Sequence, residues 1–176
     1  MTADNRLLKD DEQARRDSLD VSRSFIVQAP AGSGKTELLI QRYLKLLAVV
    51  ENPEEVIAIT FTRKAAAEMQ FRVLSALQLA DRGETPLQEH QQLTHALAEA
   101  ALERDAEFDW QLISNPRRLR IQTLDSLNAM IARLRPISAP ESASGTRIVV
   151  DAELKSLYRL AALATLDWLA ENGPMQ

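Results

Sequence analysis

Cysteine is absent from the 176 residues, which removes disulfide scaffolds, thiolate metal sites and cysteine nucleophiles together. No apolar stretch approaches the roughly 20 residues needed to span a bilayer. The start, Met1-Thr2-Ala3-Asp4-Asn5-Arg6, has no apolar segment behind a basic opening, so no secretory signal is expected. Neither sign of charge dominates: 21 Lys and Arg face 25 Asp and Glu, for a net charge of −4. That balance argues against gripping nucleic acid through bulk positive charge but leaves local contacts open. A cytoplasmic protein without a membrane partner is the resulting expectation. Glycine is also scarce, with five residues where average usage of about 7% would give roughly a dozen. Two of the five, Gly32 and Gly34, fall within three residues of each other. A hydrophobic content of 45% suffices for a real core, in one domain or in a slice of a larger protein.

The patterning alternates strand and helix. The charged opening, through Asp10, Asp11, Glu12, Arg15, Arg16 and Asp17, reads as a surface helix. Phe25-Ile26-Val27 is a short continuous apolar run, as in a strand buried on both faces. The helix predicted after Gly34 places Leu39, Tyr43, Leu46, Leu47 and Val50 on one face at 3.6-residue spacing. Val56 to Thr60 is a second buried strand. A long helix from about Lys64 to Ala80 follows, with Met69, Val73, Ala76, Leu77 and Ala80 inward, closed by Gly83. A weaker helix carries Leu93, Leu97 and Ala101. Leu119 to Thr123 reads as a third strand, and Leu127, Ile131 and Leu134 mark a short helix. Residues 136–145, rich in Pro and Ser, form the best linker, ahead of a last helix from Ala152 to Glu171. Strand–helix alternation of this kind implies an α/β parallel sheet, in which ligands sit beyond the carboxyl ends of the strands.

Ala29-Pro30-Ala31-Gly32-Ser33-Gly34-Lys35-Thr36 fits the P-loop pattern with Ala in place of its first Gly. Glycines at these positions let the backbone curl so that successive N–H groups face phosphate oxygens. The helix that follows presents its positive dipole end to the same anion. Lys35 can reach β- and γ-phosphates, and the Thr36 hydroxyl can ligate Mg²⁺. The bland alternative is a glycine-containing strand–helix turn beside a surface lysine.

The run Phe25 to Leu39 resembles the first motif of superfamily 1 helicases of the UvrD/Rep type. Ile57-Ala58-Ile59-Thr60-Phe61-Thr62-Arg63-Lys64-Ala65-Ala66-Ala67-Glu68-Met69 is similar to motif Ia of that group, and Arg120-Ile121-Gln122-Thr123-Leu124-Asp125-Ser126-Leu127 to motif Ic. The segment up to Tyr158 is nearest in flavour to the helicase half of AddA and RecB helicase–nucleases. The resemblance implies a P-loop NTPase fold: an incomplete RecA-like parallel sheet flanked by helices, with a helical C-terminal insertion resembling subdomain 1B. Residues 1–135 would then be part of motor domain 1A, and residues 136–176 the linker and first helix of the insertion.

Several roles follow from the same resemblance. ATP and Mg²⁺ are the implied cofactors, with Lys35 and Thr36 catalytic and Thr36 on the metal. Ala29, Pro30, Ala31, Gly32, Ser33 and Gly34 would cradle the phosphates, and Gln13 would read the adenine edge unless it is merely a solvated helix residue. Thr60, Phe61, Thr62, Arg63 and Thr123 would meet single-stranded DNA, where an aromatic ring can stack on any base; for Phe61 the competing role is core packing. Arg72 reaches the DNA backbone or sits on a solvated helix face. Asp125 departs from the family's frequent histidine; a carboxylate repels phosphate, so a helix-capping role is preferred for it.

Other combinations are weak. His90 and His95 lie on different helix faces, Glu54 and Glu55 read as solvated, and Arg117, Arg118 and Arg120 read as a solvated turn. After Thr36 no apolar run closes on the Asp-Glu pair that would orient water and hold Mg²⁺. Asp151, after Ile148-Val149-Val150, reads better as a helix start. The expectation is an N-terminal fragment of an ATP-dependent DNA helicase that binds nucleotide and hydrolyses little by itself. Its partners would be the remainder of the helicase chain and a second helicase–nuclease subunit. The competing reading is a non-catalytic nucleotide- or DNA-binding module. A sheet short of its later strands should also leave an open apolar edge or face.

Overall fold

A computed structural model describes residues 11–86, 88–133 and 151–172. The expected linker at 136–145 and the run Ile148-Val149-Val150 lie outside them. The described chain divides into two compact units with the boundary between Asn128 and Ala129.

Helix α1 (residues 11–17) is tied along its own surface by Arg15–Asp11 and Arg16–Glu12 pairs at i,i+4 spacing. The turn after it is held from a distance. Arg42 donates from Nη1 to the carbonyls of Ser18 (2.5 Å) and Asp20 (3.0 Å), and from Nη2 to that of Arg23 (2.7 Å). The Phe25 ring lies 5.2 Å from the guanidinium carbons of both Arg23 and Arg42. The expected strand at Phe25-Ile26-Val27 does not form. The segment is irregular and Ile26 is fully exposed. A strand exists only as one side of a ladder, and among the described residues no neighbouring strand pairs with this run.

Helix α2 (Lys35–Leu47), α3 (Arg63–Asp81) and α4 (Glu89–Phe108) pack on one another around Ile40, Tyr43, Leu44, Leu47, Val73, Leu77, Leu97, Ala98 and Ala101. The expected inward face of α2 holds at Tyr43 and Leu47, which are core, and at Leu46 and Val50, which pack against it, but not at Leu39. Ile40 and Leu44 are buried, whereas Leu39 is 51% exposed. Burial pushes the Tyr43 hydroxyl pKa upward. Helix α3 matches its expected extent closely. Thr62 caps its start by accepting from the Ala65 N–H at 3.1 Å. At its end Gly83 takes φ +68°, and the N–H groups of Gly83 and Glu84 return to the carbonyls of Ala80 and Leu79, the paired bonds of a Schellman closure.

Strands β1 (Ile57–Thr60) and β2 (Arg120–Thr123) are parallel, with Ile57 opposite Arg120 and Thr60 opposite Thr123. Helices α3 and α4 make the long crossover that a parallel pair requires, and α3 packs on both strands. On the other side of β1, Ile57 and Ile59 are about half exposed among the described residues. The α/β class is therefore observed as a small two-stranded parallel sheet with helices. Helix α5 (Leu124–Arg133) follows β2 directly. In the second unit, α6 (Asp151–Asn172) begins at Asp151, which agrees with that residue's reading as a helix start, and exposes Leu157, Tyr158, Leu160, Leu166 and Trp168.

The acidic and basic groups set aside as solvated are in part paired. Glu54 Oε1 and Oε2 accept from Arg118 Nε (2.7 Å) and Nη2 (3.0 Å), and Arg118 Nη1 reaches the Trp110 carbonyl at 3.2 Å. Glu55 instead accepts from the Asn52 N–H in a capping box. The Arg118 guanidinium holds the Glu54 carboxyl below the ordinary carboxylate range. A depressed folded-state pKa contributes stability above the unfolded value of about 4.3, and that stability disappears as pH falls through the folded value. Glu54→Gln is therefore expected to cost about 0.5–1 kcal/mol at pH 7 and nothing once Glu54 is protonated in both states. Urea midpoints of the two proteins that stay equally far apart from about pH 7 down to about pH 2.5 would refute this.

Candidate nucleotide and DNA site

The loop entering α2 is built on two left-handed glycines, Gly32 and Gly34, each at φ +80°. A side chain at either would be strained. At Gly34 it would also stand 3.3 Å from Arg15 Nη1, whereas at Gly32 the surrounding space is open. Gly34 is the N-cap of α2 and offers no side-chain acceptor. The first-turn N–H groups therefore keep the unsatisfied state intrinsic to a helix start. Glu37 is the acidic residue of that turn, but its carboxylate is engaged elsewhere. It accepts from Arg72 Nη2 of α3 and from Thr94 Oγ1 of α4 at 2.6 Å, and Gln41 Nε2 donates to the same threonine oxygen at 3.0 Å.

Lys35 folds back over the loop. Its ammonium donates to the carbonyls of Ala29 (2.7 Å) and Pro30 (2.5 Å). Arg15 of α1 donates from Nη2 to the Ser33 carbonyl at 2.5 Å and from Nε to Asp11 at 2.8 Å. A cavity of about 160 Å³ beside the loop is bounded by Arg15, Gln28, Ala29, Ser33, Lys35 and Leu38, among others. The Ser33 hydroxyl is buried without a partner. Thr36 is exposed. Gln13 lies on the exposed side of α1 and donates to Asp17 at 2.8 Å; it does not line this cavity. Left-handed glycines, an uncapped helix start, an orphan hydroxyl and a nearby ammonium are a donor set that fits polyphosphate. The free Thr36 hydroxyl fits an oxygen ligand for a hard divalent cation. Among the described residues no cluster of three His, Asp or Glu side chains would hold such a cation alone.

At the carboxyl edge of the sheet the hydroxyls divide by role. Thr60 Oγ1 donates to the Thr62 carbonyl at 3.0 Å. Thr62 caps α3, and Thr123 caps α5: its oxygen accepts from the Ser126 N–H at 3.2 Å and lies 2.9 Å from Ser126 Oγ. The cap expected from Asp125 therefore belongs to Thr123, which stands just before the helix, where a capping oxygen can reach the third N–H. Thr123 is 6% exposed. Phe61 is 93% exposed and so lies outside the core of the described residues, and Arg63 is exposed as well. Two contacts escaped the sequence reading: Arg15 on the loop and Arg72 on Glu37. Neither has a local spacing signal, because each joins residues of different elements.

Residues 10–158 match the model of the UvrD/REP helicase N-terminal domain. The chain is 38% identical over 92 residues to an ATP-dependent helicase/nuclease subunit of Desulfitobacterium hafniense, covering 51% of this chain and 6% of that protein. It is 34% identical over 110 residues to DNA helicase II of Salmonella typhimurium, covering 61% of this chain and 15% of the relative. With the ATP-dependent helicase/nuclease subunit of Clostridium botulinum the identity is 42% over 57 residues, 31% of this chain and 5% of that one. The chain thus spans a small part of the length of these relatives. No helix among the described residues is long and apolar enough to cross a membrane. The match extends through the glycine loop before α2, both strands and the loop bearing Phe61, and on it the chain belongs to the UvrD/REP helicase N-terminal domain family.

Proposed function

We propose that this chain is the amino-terminal portion of an ATP-dependent DNA helicase that couples ATP hydrolysis to movement along single-stranded DNA. Residues 1–135 would contribute part of motor domain 1A, with a RecA-like P-loop fold completed by further chain, and residues 136–176 the linker and start of a 1B-like insertion. The observation that carries this reading is the loop itself, with Gly32 and Gly34 both left-handed, α2 left uncapped and Lys35 at its first turn.

Bound MgATP supplies the γ-phosphoryl group whose transfer to water drives such motors. The work of this chain is to hold it. Lys35 would exchange the carbonyls of Ala29 and Pro30 for β- and γ-phosphate oxygens, a charge-assisted contact stronger than the one it leaves. The N–H groups at the start of α2 stabilise the same anion. Thr36 would offer its hydroxyl to Mg²⁺, a cation that would neutralise charge on the phosphates. Ala29, Pro30, Ala31 and Ser33 shape the cradle; Gln13 would have to release Asp17 to meet the adenine edge. Partners consistent with this role are single-stranded DNA, the rest of the helicase chain and a second helicase–nuclease subunit, in the cytoplasm.

On the DNA side, Phe61 offers an unburied ring for stacking and Arg63 a phosphate contact. Thr60, Thr62 and Thr123 would act chiefly by fixing the two loops, since their hydroxyls already bond within the chain. Phe61→Ala is expected to weaken binding of an oligo-dT strand by about tenfold, a typical stacking loss, with an unchanged melting temperature. Equal affinity in fluorescence anisotropy would remove Phe61 from the DNA interface. The competing reading, a nucleotide- or DNA-binding module without catalysis, draws on the lack of an apolar run closing on Asp-Glu after Thr36. Steady ATP turnover by this chain, stimulated by single-stranded DNA, would exclude it.

A further inference from the structure

We propose that Arg15 is a positioning residue of the phosphate cradle, one that fixes the direction of the Gly34 N–H by holding the Ser33 carbonyl. The proposal rests on the nucleotide reading above. In a trans peptide the C=O and N–H point in opposite directions. A guanidinium 2.5 Å from the Ser33 oxygen therefore turns the Gly34 N–H away from α1, whatever else contacts the loop. Lys35 does the same for the Pro30–Ala31 peptide by holding the Pro30 carbonyl.

The two cations differ in what they can do once an anion arrives. Lys35 is the group that must swing onto phosphate, so its hold on Ala29 and Pro30 is given up in the bound state. Arg15 has no such task. Its Nε is tethered to Asp11 within α1, its Nη1 lies 3.3 Å from the place a Gly34 Cβ would occupy, and its grip on Ser33 can persist throughout. Gly34 is therefore required twice, for its left-handed backbone and for the room it leaves the guanidinium. The planar fork of arginine, aimed by one bond and gripping with another, suits this role better than a single ammonium.

The test compares the full chain with Arg15→Gln and Arg15→Lys. Titrations with MgATP, MgADP and adenosine are paired with melting curves, with oligo-dT binding and with the amide resonance of Gly34 in ¹⁵N-glycine-labelled protein. Arg15→Gln is expected to weaken MgATP and MgADP by about tenfold, to leave adenosine and oligo-dT unaffected, and to shift the Gly34 amide. Arg15→Lys should recover part of the loss. A wild-type protein that binds MgATP beside an Arg15→Gln variant that binds it within twofold overturns the proposal and leaves the nucleotide reading intact. An unmoved Gly34 amide in both variants overturns it at any affinity, including the case where Arg15→Gln melts early. A wild-type chain that ignores MgATP instead removes the nucleotide reading itself.

Discussion

Lys35→Ala is expected to lower the affinity for MgATP by about 100-fold, close to 2.7 kcal/mol, while leaving the melting temperature unchanged. The ammonium sits at the first turn of α2, where it is able to move onto phosphate, and a contact of that kind is among the stronger hydrogen bonds. Its present partners, the carbonyls of Ala29 and Pro30, belong to an exposed loop where water can replace it, so folding should not suffer. Calorimetric titration decides the matter. Matching affinities for wild type and variant would mean that the loop binds no nucleotide through Lys35, and the motor reading would lose its support.

Leu44→Ala carries the largest expected effect on stability, about 3–5 kcal/mol. Leu44 is completely buried among Leu47, Val73, Leu77 and Leu97, where three helices meet. Truncation there loses transfer energy and leaves a cavity that interlocked helices cannot close. For a chain of this size the loss corresponds to a melting point lower by roughly 10 °C. The neighbouring change Leu39→Ala should cost less than about 0.5 kcal/mol, because that side chain already meets solvent. If denaturant midpoints showed the two substitutions to be equally costly, the outward placement of Leu39 on α2 would be wrong.

The comparison of these two leucines shows what the sequence can convey. Periodicity locates α2 and α3 well, since hydrophobic spacing and caps are local properties. It assigns Leu39 inward because a helix of mixed Leu and Ile has several apolar stripes, and only contacts with α3 and α4 choose among them. Gly83 is legible because a left-handed residue after a helix has a specific chemistry. Phe25-Ile26-Val27 misleads for the opposite reason: a strand depends on a ladder partner, and none is encoded within the run itself. At the candidate site the glycine pair and Lys35 announce themselves by spacing. The grip of Arg15 on Ser33 does not, because it joins residues 18 positions apart. Thr123 rather than Asp125 caps α5 because the helix starts earlier than a preference for carboxylate caps suggests.

The pairing of Thr60 with Thr123 bears on which length changes in the chain can be survived. The two loops leave the sheet from neighbouring rungs about 4.8 Å apart, so their separation is set by backbone rather than by adjustable side chains. One extra residue inside β1 would reverse the alternation and send everything up to the cap of α3 to the other face. An extra residue among 82–86, beyond the end of α3, would be absorbed without disturbing that spacing. Insertions drifting into this lineage should therefore accumulate after the long helix and be purged from the short strands.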